Sequence, residues 1–183
     1  ERLRQRGTAA HSTVQVDGAD SSEVWSGFRV ARRARPQDRR LAAQDDALLL
    51  SCAHDGYRRL PGRPVHHREL ALVLPGAPAV WDTGESGVRQ AAVSRVRFPP
   101  GARVTLGESA AAAIEVEGAS LVLQAFGGEL ALEEGHYAPR FGERLACPVL
   151  ALRKGPGPEF GYVLARAGAA ARSRVEKPAG ASS

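Results

Sequence analysis

Methionine is absent from all 183 residues. Such a chain cannot start at its own initiator, so we expect a processed protein or a piece of a longer one. Lysine is nearly absent as well. Only Lys154 and Lys177 occur, and arginine carries the rest of a net charge of +5. No apolar run approaches the roughly 18–20 residues that a membrane-spanning helix needs, and Glu1-Arg2-Leu3-Arg4 opens no secretory leader. Cysteine is limited to Cys52 and Cys147, each in apolar sequence, "LLLSCAH" and "RLACPVL". They form no C-x-x-C pair, which excludes a zinc ribbon or a dithiol redox motif, and two buried thiols are expected. Aromatic residues make up 5% of the chain, too few to stack a run of bases, and no nucleic-acid recognition motif occurs. The nucleophile elbow, the P-loop and the dinucleotide fingerprint are all missing. Glu133 and Glu134 are neighbours on a strand pattern. They point to opposite faces and cannot act as a glycosidase pair across a cleft.

What is present is a period of two, broken by glycine and proline. "HSTVQVDG" places Val14 and Val16 on one face and His11, Thr13, Gln15 and Asp17 on the other. "VWSGFRVA" puts Val24, Phe28 and Val30 together, and "ALLLSCAH" is a short apolar run of the kind a buried strand shows. "HRELALVLPG", "AVWDTG", "AAVSRVRFPPG", "ARVTLG", "AAIEVEG", "SLVLQAFGG", "ELALEEG" and "EFGYVLARA" continue the series. About ten strands with closely spaced turns imply an all-β fold, an antiparallel β-sandwich with one wet face per sheet. The alanine run Ser109–Ala113 has room for one helical turn before it drifts into alternation. Residues 1–167 form the expected domain. Residues 168–183, "GAAARSRVEKPAGASS", bury too little to offset their chain entropy and are expected to be a disordered tail.

Few side chains point to chemistry. His11 stands at the threshold of the first strand pattern, with Asp17 and Asp20 beyond it. A structural zinc takes about four donors and a catalytic one about three, and no H-x-H or H-E-x-x-H spacing surrounds His11. On spacing alone it is a hydrogen-bonded surface histidine. His54 shares strand parity with Leu48, Leu50 and Cys52, which places it on an apolar face, and Asp55-Gly56 after it reads as a turn. His66, His67 and Arg68 form a basic strand entrance. "GHYAPRFGERLACP" gathers His136, Tyr137, Arg140 and Arg144 in what reads as a long loop before a strand, able to cover a sugar ring or to anchor the loop. Arg2, Arg4, Arg6, Arg29, Arg32, Arg33, Arg35, Arg39 and Arg40 crowd the first forty residues. Their planar forks match carboxylate, sulfate and phosphate oxygens, so the segment is suited to a polyanion.

Three stretches carry a resemblance. "GTAAHSTVQVDGADSSEVWSGFRVARRARP" is the specific one, supported by "CAHDGYRRLPGRPVHHRELAL" and "YAPRFGERLACPVL". Together they resemble the heparinase II/III-like polysaccharide lyase family, over residues 5–165. The resemblance implies an α/α toroid upstream and a C-terminal antiparallel sandwich, of which this chain is the later part. It implies β-elimination on acidic polysaccharides such as heparan sulfate or alginate. The tyrosine, histidine and asparagine that do this work lie before Glu1, so no catalytic residue is expected in this chain. It implies that His11 is one ligand of a divalent metal, commonly zinc, with a histidine and an aspartate supplied from upstream. The chain by itself is then expected to hold no metal tightly. His54, Tyr57, Arg68, Tyr137 and Arg140 become candidates for facing the substrate. The expected partners are an acidic polysaccharide and the upstream toroid, not nucleic acid or a membrane, and a periplasmic or extracellular setting is implied. The family usually has asparagine after the histidine, and Ser12 stands here instead. That change is either structural or the mark of a divergent subfamily with another substrate. The alternative function is a non-catalytic β-sandwich that binds carbohydrate or polyanion, since a sandwich does not fix an activity.

Overall fold

The computed structural model of the chain describes residues 1–44, 46–73, 76–85 and 89–168. The tail expected from 168 onward lies, beyond Gly168 itself, outside the described residues. Among the described residues a short helix α1 (Arg2–Arg6) and a 3-10 turn (Thr8–Ala10) precede fourteen strands. These are β1 (Val14–Val16), β2 (Glu23–Trp25), β3 (Arg29–Ala31), β4 (Pro36–Gln44), β5 (Ala47–His54), β6 (Val65–Val73) and β7 (Ala77–Glu85). They continue with β8 (Ala92–Arg97), β9 (Arg103–Leu106), β10 (Ala111–Val116), β11 (Ala119–Phe126), β12 (Gly128–Tyr137), β13 (Leu145–Lys154) and β14 (Glu159–Arg166). The all-β reading holds, with more strands than expected.

The extra strands have physical causes. "VWSGFRVA" is not one strand but two, β2 and β3, paired as a small hairpin. Ser26 adopts a positive φ of 59° there, and Gly27 follows it, so the chain turns instead of extending. β4 is the edge of its sheet, and its side chains are nearly all exposed on both faces, so no alternation marks it. A bulge between Gln37 and Arg40, with Asp38 at φ 50°, interrupts its pairing. The alanine run is not helical. Ser109 and Ala110 turn at φ 55° and 57°, and Ala111 already begins β10.

The strands form two facing sheets of unequal width. The larger has the order β4-β5-β6-β7-β14-β11-β10-β9, the smaller β1-β8-β13-β12, and every pairing is antiparallel. Between them lies the main core. Val14 and Val16 of β1 and Leu150 and Leu152 of β13 meet Val80, Phe160, Tyr162, Leu123, Ala125 and Ile114 of the larger sheet. A second cluster, Ala71, Ala79 and Trp81 with Leu49, Phe126 and Val163, sits on the opposite face of the larger sheet. The smaller sheet covers only part of its partner. On the inner face of β4, β5 and β6, Leu41, Leu48, Leu50, Leu70 and Leu72 remain exposed.

Candidate functional site

At the border between the covered and uncovered inner face, period-two geometry turns three polar residues inward. His66 and Arg68 on β6 share a face with Leu70, and the register sets Arg68 opposite Asp82 on β7. Asp82 is fully buried, at 0% exposure. Its carboxylate is saturated: Oδ1 accepts from His66 Nε2 at 2.9 Å and Arg68 Nε at 2.7 Å. Oδ2 accepts from Arg68 Nη2 at 2.9 Å and from the Ser94 hydroxyl of β8 at 2.9 Å. Burial alone would raise the Asp82 carboxyl, yet the bonds from His66 and Arg68 and the guanidinium charge together hold it below its usual value. Burial likewise works against the Arg68 cation, and the Asp82 bond and charge more than offset it, so its pKa rises. Arg68 Nη1 also donates to the Ser12 carbonyl at 2.9 Å, which ties β6 to the chain just before β1.

The hydrogen bonds assign the tautomers of two histidines. The Gly56 amide donates to His54 Nδ1 at 3.3 Å, so neutral His54 carries its proton on Nε2. That proton points to His66 Nδ1 at 3.1 Å, and His66 therefore donates from Nε2 to Asp82. Burial, then the neighbouring His66, pushes the His54 pKa down to about 4, so the His54 ring is neutral at neutral pH. Gly56 is packed so closely that a Cβ there would collide with the Ser21 carbonyl and meet Ala34 at 2.7 Å. This is why the turn after β5 can bring its amide onto His54.

A cavity of about 470 Å³ opens beside this network, at one end of the space between the sheets. Val14, Val16, Ala92 and Phe160 form its apolar walls, and His66 contributes a ring edge. Both ring nitrogens of His66 are already engaged, so it offers shape rather than a free base. Among the described residues the site holds no activated nucleophile and no acid–base pair free to act.

The candidates divide into three groups. His54 and Arg68 belong to the buried network. Tyr57 lies in the core at 0% exposure, its hydroxyl donating to the Val14 carbonyl at 2.7 Å, with burial raising its pKa to about 12. It braces the outer edge of β1 from inside and does not face solvent. Tyr137 and Arg140 lie apart from these, at the exposed tip of the β12–β13 hairpin, where Arg140 pairs with Glu143 at 3.2 Å. The expected long loop is half strand, since β12 runs through Tyr137 and β13 starts at Leu145, and 138–144 form the connection. The thiols stay unpaired, Cys147 buried and Cys52 half-buried.

His11 is exposed and precedes β1 instead of starting it. The 3-10 turn ends at His11, whose amide donates to the Thr8 carbonyl at 3.1 Å, and Ser12 and Thr13 separate it from β1. The nearby carboxylates are spent on backbone: Asp20 accepts from the Thr8 amide at 2.6 Å and Asp17 from the Ala91 amide at 2.9 Å. Among the described residues no three His, Cys, Asp or Glu side chains come together to hold a metal ion. The donors of this chain alone therefore do not fit a zinc site. Ser12 serves the backbone instead, its hydroxyl accepting from the Arg97 amide at 3.2 Å.

Asp82, Ser94 and the role of His66 were not foreseen. The signal was a charged residue at an inward parity, Asp82 two residues from Val80, on a strand otherwise apolar on that face.

Among the described residues no helix is long and apolar enough to cross a membrane. No curated protein matches the chain. Solved structures do. A mutant of the heparan sulfate lyase HepC from Pedobacter heparinus superposes with a TM-score of 0.70 at 14% identity, covering 88% of this chain and 24% of that one. A heparinase III gene product gives 0.69 at 16%, with 88% and 24% covered. Another heparinase III gives 0.63 at 12%, with 87% and 23% covered. At such identities these likenesses show the fold, and this chain spans about a quarter of each. The family described as heparinase II/III-like, C-terminal, matches residues 1–170. Every described residue lies within that match, and the chain belongs to the heparinase II/III-like C-terminal family.

Proposed function

We propose that this chain is the C-terminal β-sandwich of a longer lyase that cleaves uronic-acid-containing polysaccharides by β-elimination. The family match over residues 1–170 carries this reading. β-Elimination requires a neutralised uronate carboxylate, a base for the C5 proton and an acid for the departing 4-linked oxygen. Among the described residues no free acid–base pair exists, so those roles fall to the part of the protein before Glu1. The sandwich supplies surface. Arg29, Arg32, Arg33, Arg35 and Arg39 are exposed along β3, its connection to β4 and β4 itself. Arg2 lies over the Phe28 ring at 4.2 Å and Arg29 near Trp25 at 5.5 Å, so two of the cations are presented on aromatic faces. In the longer protein, His11 is one ligand of a divalent metal whose other donors come from outside this chain. Metal content of that protein against its His11→Ala variant tests this, and equal content rejects it.

The activity test compares the full reading frame with the present chain on heparan sulfate and on alginate, following the ultraviolet absorbance of the unsaturated uronate product. The longer protein is expected to generate it and this chain is not. Absence of product from the longer protein on every acidic polysaccharide overturns the proposal. The arginine–aromatic surface also favours a second reading, a non-catalytic module that retains polyanions. Retention on a heparin matrix that disappears near 0.3 M salt marks a general arginine field, because screening is strong at that strength. Retention that persists marks specific recognition.

A further inference from the structure

The cavity between the sheets has the chemistry of a binding site that the family assignment does not account for. Its volume, about 470 Å³, falls in the range of small-molecule sites. Its floor is apolar, with Phe160 buried at its base and Pro156 and Pro158 at its side. Its charged lining groups, Arg89 and Lys154, are both cationic, and no carboxylate lines it among the described residues. Lys154 is fixed by its own turn: Nζ donates to the carbonyls of Gly157 at 2.6 Å and Gly155 at 3.3 Å. Those bonds leave one ammonium N–H and the full positive charge unspent. Arg89 is exposed and pairs with no carboxylate among the described residues. The carboxylate behind the wall, Asp82, is already neutralised by Arg68 and closed by four hydrogen bonds, so it does not cancel this field. Thr83 and Gln90 add polar lining.

We propose that this cavity binds a small ring-bearing oxyanion of monosaccharide size. The carboxylate or sulfate meets Lys154 and Arg89 at the rim, and the ring lies against Pro156 and Pro158, with Phe160 closing the floor beneath. The walls are preformed, because the hydrogen-bond network fixes His66 and the inter-sheet core fixes Phe160. The site needs no metal and is independent of the lyase reading.

The test is titration of the purified chain, followed by amide chemical shifts, with glucuronate, glucose 6-sulfate, neutral glucose and inorganic sulfate. Saturable shifts are expected at Gly84, Gln90, Gly155 and Gly157 with one or both ring-bearing anions. Which anion binds more tightly distinguishes a carboxylate from a sulfate site. Glucose and inorganic sulfate are expected to bind at least about tenfold more weakly, the equivalent of about 1.4 kcal/mol. Arg89→Gln, at an exposed position, is expected to weaken binding about tenfold without changing the fold. Lys154→Gln is expected to do the same and Lys154→Arg to retain binding, while Arg103→Gln, exposed on the edge strand β9, leaves it unchanged. Glucose binding as tightly as glucuronate and glucose 6-sulfate overturns the proposal. So do shifts confined to residues 29–40, or an absence of saturable shifts with both ring-bearing anions.

Discussion

One row of paired residues crosses the larger sheet from Val80 on β7 to Leu70 on β6, Leu50 on β5 and Leu41 on β4. All four are apolar and all point to the same face. Val80 is 3% exposed, Leu70 36%, Leu50 41% and Leu41 75%. The next row, Pro78, Leu72, Leu48 and Ala43, runs alongside. From β7 onward the face is closed by the four-stranded sheet and becomes core. On β4, β5 and β6 nothing among the described residues closes it. The Arg68–Asp82–Ser94 seam stands at the boundary and reaches across to Ser12. An alternating pattern therefore shows that a face is apolar. The width of the opposing sheet decides whether that face is buried. Soluble single domains rarely leave a contiguous apolar face of this kind uncovered, and the proposal of a longer protein supplies a cover.

The largest effect expected is at the seam. Asp82→Ala leaves the Arg68 guanidinium and the Ser94 hydroxyl without their partner in the interior. We expect a loss of about 3–5 kcal/mol in urea unfolding; a loss below about 1 kcal/mol would show that water reaches the seam. Next, the two halves can be compared directly. Leu123→Ala, in the covered half at 1% exposure, is expected to cost about 2–5 kcal/mol. Leu50→Ala, in the bare half, is expected to cost under about 1 kcal/mol in this chain, because it leaves little new cavity. Equal costs would mean that the bare half is already covered, for instance by a second copy of the chain.

A smaller effect comes from His54. Its pKa is about 4 in the folded chain against an ordinary histidine value of 6.5, because of burial first and His66 second. Between these values the unfolded chain takes up a proton that the folded chain refuses. Stability is therefore complete above about pH 6.5 and falls as pH drops toward 4. Since the ring is partly exposed, the loss is discounted to about 1–2 kcal/mol. Unfolding midpoints for the chain and for His54→Gln across this window should converge at acid pH. A pH-independent difference would contradict the assigned shift.

The alternation made the sandwich legible, because most strands of the covered half have one wet and one dry face. β10 and β11 show this, with Ala112, Ile114, Leu123 and Ala125 all inward. β4 was not legible, because an edge strand exposed on both faces has no reason to alternate. The site was legible only in pieces. His54 and Arg68 were found, but not what joins them, because Asp82 is fourteen residues from Arg68 in sequence and meets it only through strand pairing. Tyr57 resembles a substrate-facing tyrosine in sequence, and only the packing of the 55–60 turn against β1 shows it to be a brace. The metal role proposed for His11 rests on the resemblance alone, because no ligand spacing surrounds it in sequence.

The most direct test of the account is the accessibility of the bare half. Leu50→Cys, in a Cys52→Ser background, is to be labelled with a thiol reagent in this chain and in the full reading frame. The account predicts ready labelling in the chain and strong protection in the longer protein. Equal labelling rates in the two would contradict it.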